Sequence, residues 1–177
     1  KFMETFDSSR PSVFGAFFDV TSLYAGTMQQ PLPLGNYQWR SDLTIDDILN
    51  TDSFGSVGYF VEVDLYYPHC LHDKHNDLPL APEKLEIKRE WLSDYAKSFG
   101  IPPSRVSKLV ETLFAKEFYV CHFRNLKFYV EQGLIVRKLH RVLQFDQSCW
   151  LGAYISKNTD MRKMAKTDFD KNFFKLL

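Results

Sequence analysis

Residues 14–28 constrain this chain more than any other stretch. Phe14, Gly15, Ala16, Phe17 and Phe18 run straight into Asp19, and Val20, Thr21, Ser22, Leu23, Tyr24, Ala25, Gly26, Thr27 and Met28 follow. An apolar run that ends in a carboxylate reads as a buried strand whose last side chain reaches solvent or a metal. A carboxylate set against so much apolar surface is costly unless a positive group meets it, and a hard cation such as Mg²⁺ is one solution. Aspartate in such a setting also serves as a helix cap or a turn residue. The local sequence leaves both readings of Asp19 open.

The 177 residues suit one domain or a piece of a larger protein, and 45% hydrophobic with 16% aromatic residues is enough to bury a core. No apolar run is long enough for a membrane span. The opening Lys1, Phe2, Met3 and Glu4 resemble neither a signal peptide nor an ordinary translation start, so the chain reads as cut from something longer. Cys70, Cys121 and Cys149 are too few and too scattered for a disulfide framework, which leads to the expectation of an intracellular, reducing setting. The balance of 22 basic and 22 acidic residues argues against a simple basic nucleic-acid binder. Their distribution is uneven. Asp42, Asp46, Asp47, Asp52, Glu62, Asp64 and Asp73 fall in a stretch free of Lys and Arg, whereas Arg124, Lys127, Arg137, Lys138 and Arg141 are opposed only by Glu131. That asymmetry suits separate cation-binding and phosphate-binding regions, and solvated faces produce it too.

Residues 28–35 hold two prolines and a glycine and are expected to be extended or turning; residues 44–49 read as a short helix capped by Thr44 or Ser41. Val57, Tyr59, Val61, Val63 and Leu65 alternate with Glu62 and Asp64, the clearest strand pattern in the chain. Asp64 competes there with Asp19 as a metal ligand, although alternating carboxylates usually mark a strand's wet face. Cys70, His72 and His75 can be drawn as a zinc site with Cys121 or His122, but the paired ligands of a zinc knuckle are missing. A polar loop pinned by prolines is the plainer reading. A helix is expected to stop at Gly100, and another, capped by Ser104, to carry Val106, Leu109, Val110 and Leu113. Residues 119–130 read as a strand turning into a helix closed by Gly133, and 135–145 as a further strand. His140 has no nearby Ser or Cys, so it reads as a core or surface histidine.

Towards the C-terminus, Asn158, Thr159 and Asp160 offer caps, and Met164, Phe169, Phe173, Leu176 and Leu177 form an apolar stripe for one helix running to the end. Lys163, Lys171 and Lys175 are eight and four residues apart. At about 100° per residue they fall within about 120° of one another on that helix. Pairing with Asp160, Asp168 and Asp170 in an ordinary solvated face explains them as well as phosphate binding does.

The Asp-x-x-Ser-Leu-Tyr of residues 19–24 resembles the first palm motif of family B DNA polymerases. With Ala25 to Met28 and Pro31 to Gly35 it is most similar to the protein-primed branch of viruses, linear plasmids and transposons. The loop from Leu71 through Pro82 resembles the corresponding loop of transposon-type polymerases, and Phe174, Lys175, Leu176 and Leu177 resemble the start of the fingers motif Lys-x-x-x-Asn-Ser-x-Tyr-Gly. The resemblance implies DNA-directed DNA polymerisation from a primer-template and dNTPs, with two Mg²⁺ ions whose second ligand set lies outside this chain. Asp19 would be the catalytic metal ligand, helped by the main-chain carbonyl of Val20. Ser22 and Leu23 would lie beside the triphosphate, Tyr24 beneath the sugar, and Lys163, Lys171 and Lys175 on the phosphates, with Arg162 and Lys166 as bystanders. A terminal priming protein is an implied partner, and no membrane is.

The implied fold class is α+β: a partial palm of antiparallel strands (1–40), a mixed α/β insertion (41–150) and the start of a fingers helix (151–177). Two other functions stand beside it. One is a noncatalytic remnant or interaction module using the basic region 124–141; the other is a small metal-dependent nuclease, which needs Asp19, Glu62 and Asp64 to converge on one ion.

Overall fold

The computed structural model describes residues 7, 9, 18–20, 22–100 and 106–176. In chain order they form α1 (Leu23–Met28), β1 (Leu32–Arg40), α2 (Ile45–Asn50), β2 (Val57–Tyr66), α3 (His72–His75), β3 (Glu83–Leu85), α4 (Asp94–Ser98), β4 (Lys108–Val110), β5 (Lys116–His122), α5 (Phe123–Glu131), β6 (Ile135–Ser148), α6 (Gly152–Met164) and α7 (Asp168–Leu176). The class is α+β, with an antiparallel main sheet. The chain divides into two compact units, one made of Lys1–Gln30 with Leu151–Leu177 and the other of Pro31–Trp150.

The second unit is built on a four-stranded antiparallel sheet in the order β1-β6-β2-β5. The alternation in β2 puts every second side chain on one face, and there Val61, Val63 and Leu65 are at most 1% exposed. Phe123, Leu126 and Tyr129 of α5 and Ile48 of α2 join them in the core, each large side chain contributing about 1.5–3 kcal/mol by burial. The expected start of α2 holds. Thr44 accepts from the Asp47 N–H while the Asp47 carboxylate accepts from the Thr44 N–H, and His122 caps α5 by accepting from the Arg124 N–H. Gly133 follows α5 at φ +102°, where a Cβ would meet the Leu71 side chain at 3.0 Å. Only glycine relieves both constraints. The extended path expected near residues 28–35 is β1, an edge strand, where Pro33 costs no central ladder bond. β1 pairs with β6 in this sheet.

Between residues 83 and 113 the structure departs from the sequence reading. Glu83–Leu85 pairs antiparallel with Lys108–Val110 in a separate two-stranded sheet, and within 83–99 the only α-helix is the short α4, capped by Ser93. Ser104 lies outside the described residues. The helical spacing of Val106, Leu109, Val110 and Leu113 is no packing face, because Val106 and Leu109 are 68% and 69% exposed. What fixes the segment is tertiary: Glu83 forms an ion pair of 2.9 Å with the buried Lys116 of β5.

All three cysteines are free thiols; Cys70 and Cys149 are exposed, and Cys121 lies on the core face of β5. Burial pushes the Cys121 thiol up to about 12, so it forms little thiolate at neutral pH. Titration of the native chain with an aromatic disulfide reagent is expected to give two fast thiols, Cys70 and Cys149. The third should react only after denaturant is added; three equal rates would contradict the packing of β5.

Candidate nucleotide-binding site

The Asp19 segment and the C-terminal lysines lie in the same compact unit, although more than a hundred residues separate them in sequence. Phe14–Phe17, the expected strand leading to Asp19, falls outside the described residues. Asp19 is exposed, and Phe18, Val20 and Tyr24 beside it are 90%, 64% and 81% exposed. Exposure at this level rules out Tyr24 as a core-filling ring. Ser22 sits at φ 57°, ψ 42° ahead of α1, with no side-chain capping bond. This left-handed, non-glycine residue turns the chain between Val20 and the helix at a cost of about 1 kcal/mol or more. Gln29, just past α1, donates from Nε2 to the Ser156 hydroxyl of α6 at 3.2 Å, which ties the Asp19 segment to the C-terminal helices.

The single C-terminal helix expected from the lysine spacing is two helices. Asn158, Thr159 and Asp160 lie inside α6, where they cap nothing, and the break comes at residues 165–167. Thr167 starts α7: its hydroxyl accepts from the Asp170 N–H at 3.1 Å and donates to the Asp170 carboxylate at 2.7 Å. The break lets α7 fold back, so that Phe174 faces Met161 and Met164 across a cleft of about 370 Å³ also lined by Ala165, Lys166 and Asp170. In one straight helix those side chains would have no partner face. Lys163 therefore stands on α6, and Lys171 and Lys175 on α7 one turn apart. Lys163 pairs with Asp160 and Lys171 with Asp168, both at 3.3 Å and well exposed. Such pairs are worth little in water and yield readily to a phosphate.

The carboxylates of β2 are committed elsewhere. Glu62 receives two hydrogen bonds from Arg141, at 2.7 and 2.8 Å, which hold it below the ordinary carboxylate range. Asp64 accepts the Phe118 N–H at 2.9 Å and pairs with His140 Nε2 at 2.7 Å, and these bonds, the backbone one first, lower it as well. His140 is thus a partner of Asp64, a contact that sequence reading missed. No group of three His, Cys, Asp or Glu among the described residues could hold a metal ion, and Glu62 and Asp64, which the nuclease reading needs, are taken by Arg141 and by Phe118 and His140. The zinc reading fails likewise: His75 is buried against the Tyr67 hydroxyl at 2.7 Å, and His69 and His72 stack on each other.

An exposed aspartate followed by a backbone carbonyl is a hard oxygen donor set. It fits Mg²⁺, which keeps several waters and takes one or two carboxylates plus substrate phosphates. An acid and a row of ammonium groups thus stand in one unit, whose described elements are α1, α6 and α7. A family model described as DNA polymerase type B, organellar and viral, matches residues 13–177, and the chain belongs to that family. Its members are DNA polymerases, acting on DNA and nucleotides with divalent metals. No curated protein and no solved structure matches the chain. No helix among the described residues is long and apolar enough to cross a membrane.

Proposed function

We propose that this chain supplies a metal-binding aspartate and the triphosphate-binding lysines of template-directed nucleotidyl transfer in a protein-primed, replicative DNA polymerase. The observation that carries this reading is the joining of the Asp19 segment and the lysine-bearing helices in one unit, tied by Gln29 and Ser156. Asp19 and the Val20 carbonyl would hold Mg²⁺. When bound in a pair, such ions activate the primer hydroxyl and offset the charge of the leaving pyrophosphate. Ser22 and Leu23 border the triphosphate, and Tyr24 packs under the deoxyribose, where a 2′-hydroxyl would collide with the ring. Lys171 and Lys175 reach phosphate oxygens as point charges, and Lys163, on the other helix, approaches from a separate direction. In this reading residues 1–40 and 151–177 are palm and fingers segments, 41–150 is an insertion, and a terminal priming protein is a partner.

The test is binding of a fluorescent dATP analogue to the 177-residue chain with Mg²⁺ present. Removal of one ammonium group from a phosphate contact is worth about 1.5–3 kcal/mol, or roughly tenfold or more in affinity. Lys175→Ala and Lys171→Ala are each expected to weaken binding by that amount, and Lys163→Ala by less. A double Lys171→Ala/Lys175→Ala variant that binds the nucleotide as the parent does would end the assignment of α7.

A further inference from the structure

The main sheet has a second face, opposite the α5 core, and it is built of aromatic rings and cations. Directly opposed residues in antiparallel strands point to the same side, so Trp39, Leu143, Phe60 and His122 form one row across all four strands. Tyr37 and Trp39 on the edge strand β1 are 56% and 67% exposed, and Phe118 on the opposite edge strand β5 is 61% exposed. The ring of Phe118 lies on that of His140, with centroids 4.3 Å apart, and its backbone is held at φ 51° with its N–H on Asp64. Two register irregularities in the β2–β6 pairing leave His140 and Arg137 as extra residues on β6. Such bulges re-aim side chains. Here they bring His140 onto Asp64 and the Arg137 guanidinium over the Tyr66 ring at 4.0 Å, while Arg141 stands over Trp39 at 5.5 Å. Glu62 and Asp64 are answered by Arg141 and His140, and Arg137 and Lys138 add two further positive charges on exposed side chains.

We infer that this face binds single-stranded nucleic acid, its bases stacked on Trp39, Tyr37 and Phe118 and its phosphates met by Arg137, Lys138 and Arg141. A single strand is the polyanion that offers flat π faces to a sheet, whereas a duplex keeps its bases stacked inside. Same-face residues recur about every 6.8 Å along a strand, which spaces successive rings for an unstacked chain of bases. The site lies in Pro31–Trp150 and does not rest on the role given to Asp19 or the C-terminal lysines.

The experiment is fluorescence anisotropy of a labelled oligo(dT) of about a dozen nucleotides. The whole chain is used, in EDTA and without nucleotide, so the metal and dNTP site is silent. Micromolar-order binding is expected at moderate salt. Trp39→Ala and Phe118→Asn, the latter chosen because Asn tolerates a left-handed backbone, should each weaken it roughly tenfold or more. Arg137→Gln with Lys138→Gln should flatten the salt dependence by about 1.4 in slope. An abasic oligomer of equal length tests stacking in the unmutated chain and should bind at least about tenfold more weakly. Absent binding, equal affinity for the abasic oligomer or for duplex DNA, or retention of affinity by both ring variants would overturn the proposal. Sedimentation showing that Trp39→Ala abolishes self-association, with no oligo(dT) bound by the parent, would assign the face to a second copy instead.

Discussion

Asp19→Asn, introduced into an active polymerase that includes these residues, is expected to lower primer extension by about a thousandfold or more. The change keeps the size of the side chain, turns one acceptor oxygen into an NH2 donor and removes the negative charge, which is what a Mg²⁺ ligand contributes. Polarisation and charge neutralisation by a catalytic metal are worth several kcal/mol, and about 4 kcal/mol corresponds to three powers of ten. Because Asp19 is exposed, the substitution leaves packing untouched, so the melting temperature should not move. Replacing Mg²⁺ by Mn²⁺, which binds nitrogen and oxygen donors differently, should restore part of the activity. The isolated chain should extend no primer, since its described residues offer no cluster of three ligands and one aspartate cannot hold two divalent ions against their repulsion. Undiminished extension by Asp19→Asn would refute the metal role of this carboxylate, and extension by the isolated chain, lost on Asp19→Ala, would refute its expected inactivity.

What could be read from the sequence was what short-range physics decides. The alternation from Val57 to Leu65 specified β2 and its buried face because a one-residue slip would turn the whole apolar set towards water. Thr44, one of the two caps the sequence offered, announced α2, and the passage from Tyr119 into Leu126 and Tyr129 announced the strand and helix that hold the core. Reading failed where partners lie far apart. Glu83 belongs to β3 because Lys116 waits for it, and the polar network of Asp64 joins Phe118 and His140, dozens of residues away in the chain. No local pattern carries such pairs. The C-terminal break is different, for its signal was present: Thr167 followed by Asp170 is a capping pair, and the lysine spacing drew attention to Asn158–Asp160 instead. The second face of the main sheet was also half legible. The bases Arg137, Lys138 and Arg141 are visible in the sequence, but the bulges that aim them appear only with the register of β6.

Replacement of Lys116 by Ala is expected to cost about 3–5 kcal/mol of folding stability, the range for breaking a buried ion pair from one side. The Lys116 side chain is 0% exposed, opposes Leu65 across the β2–β5 ladder and donates to Glu83 at 2.9 Å and to the Thr112 hydroxyl and carbonyl at 2.5 and 3.2 Å. Truncation leaves an empty stem channel beside the core and strips the partners from Glu83 and Thr112 together. Lys116→Met fills the channel but still orphans the carboxylate, so it should lose less than Lys116→Ala. Adding Glu83→Gln to Lys116→Met removes the stranded charge as well. Because well-packed apolar replacements of buried pairs are often near neutral, the double variant should recover most of the loss. Urea unfolding of the four proteins reads this directly. If Lys116→Ala shifts the midpoint no more than an exposed substitution does, or if Glu83→Gln gives no recovery on the Met background, then β3 and β4 are not anchored to the main sheet through this pair. The short sheet would in that case owe its place to Tyr119, whose hydroxyl donates to the Pro82 carbonyl at 3.3 Å.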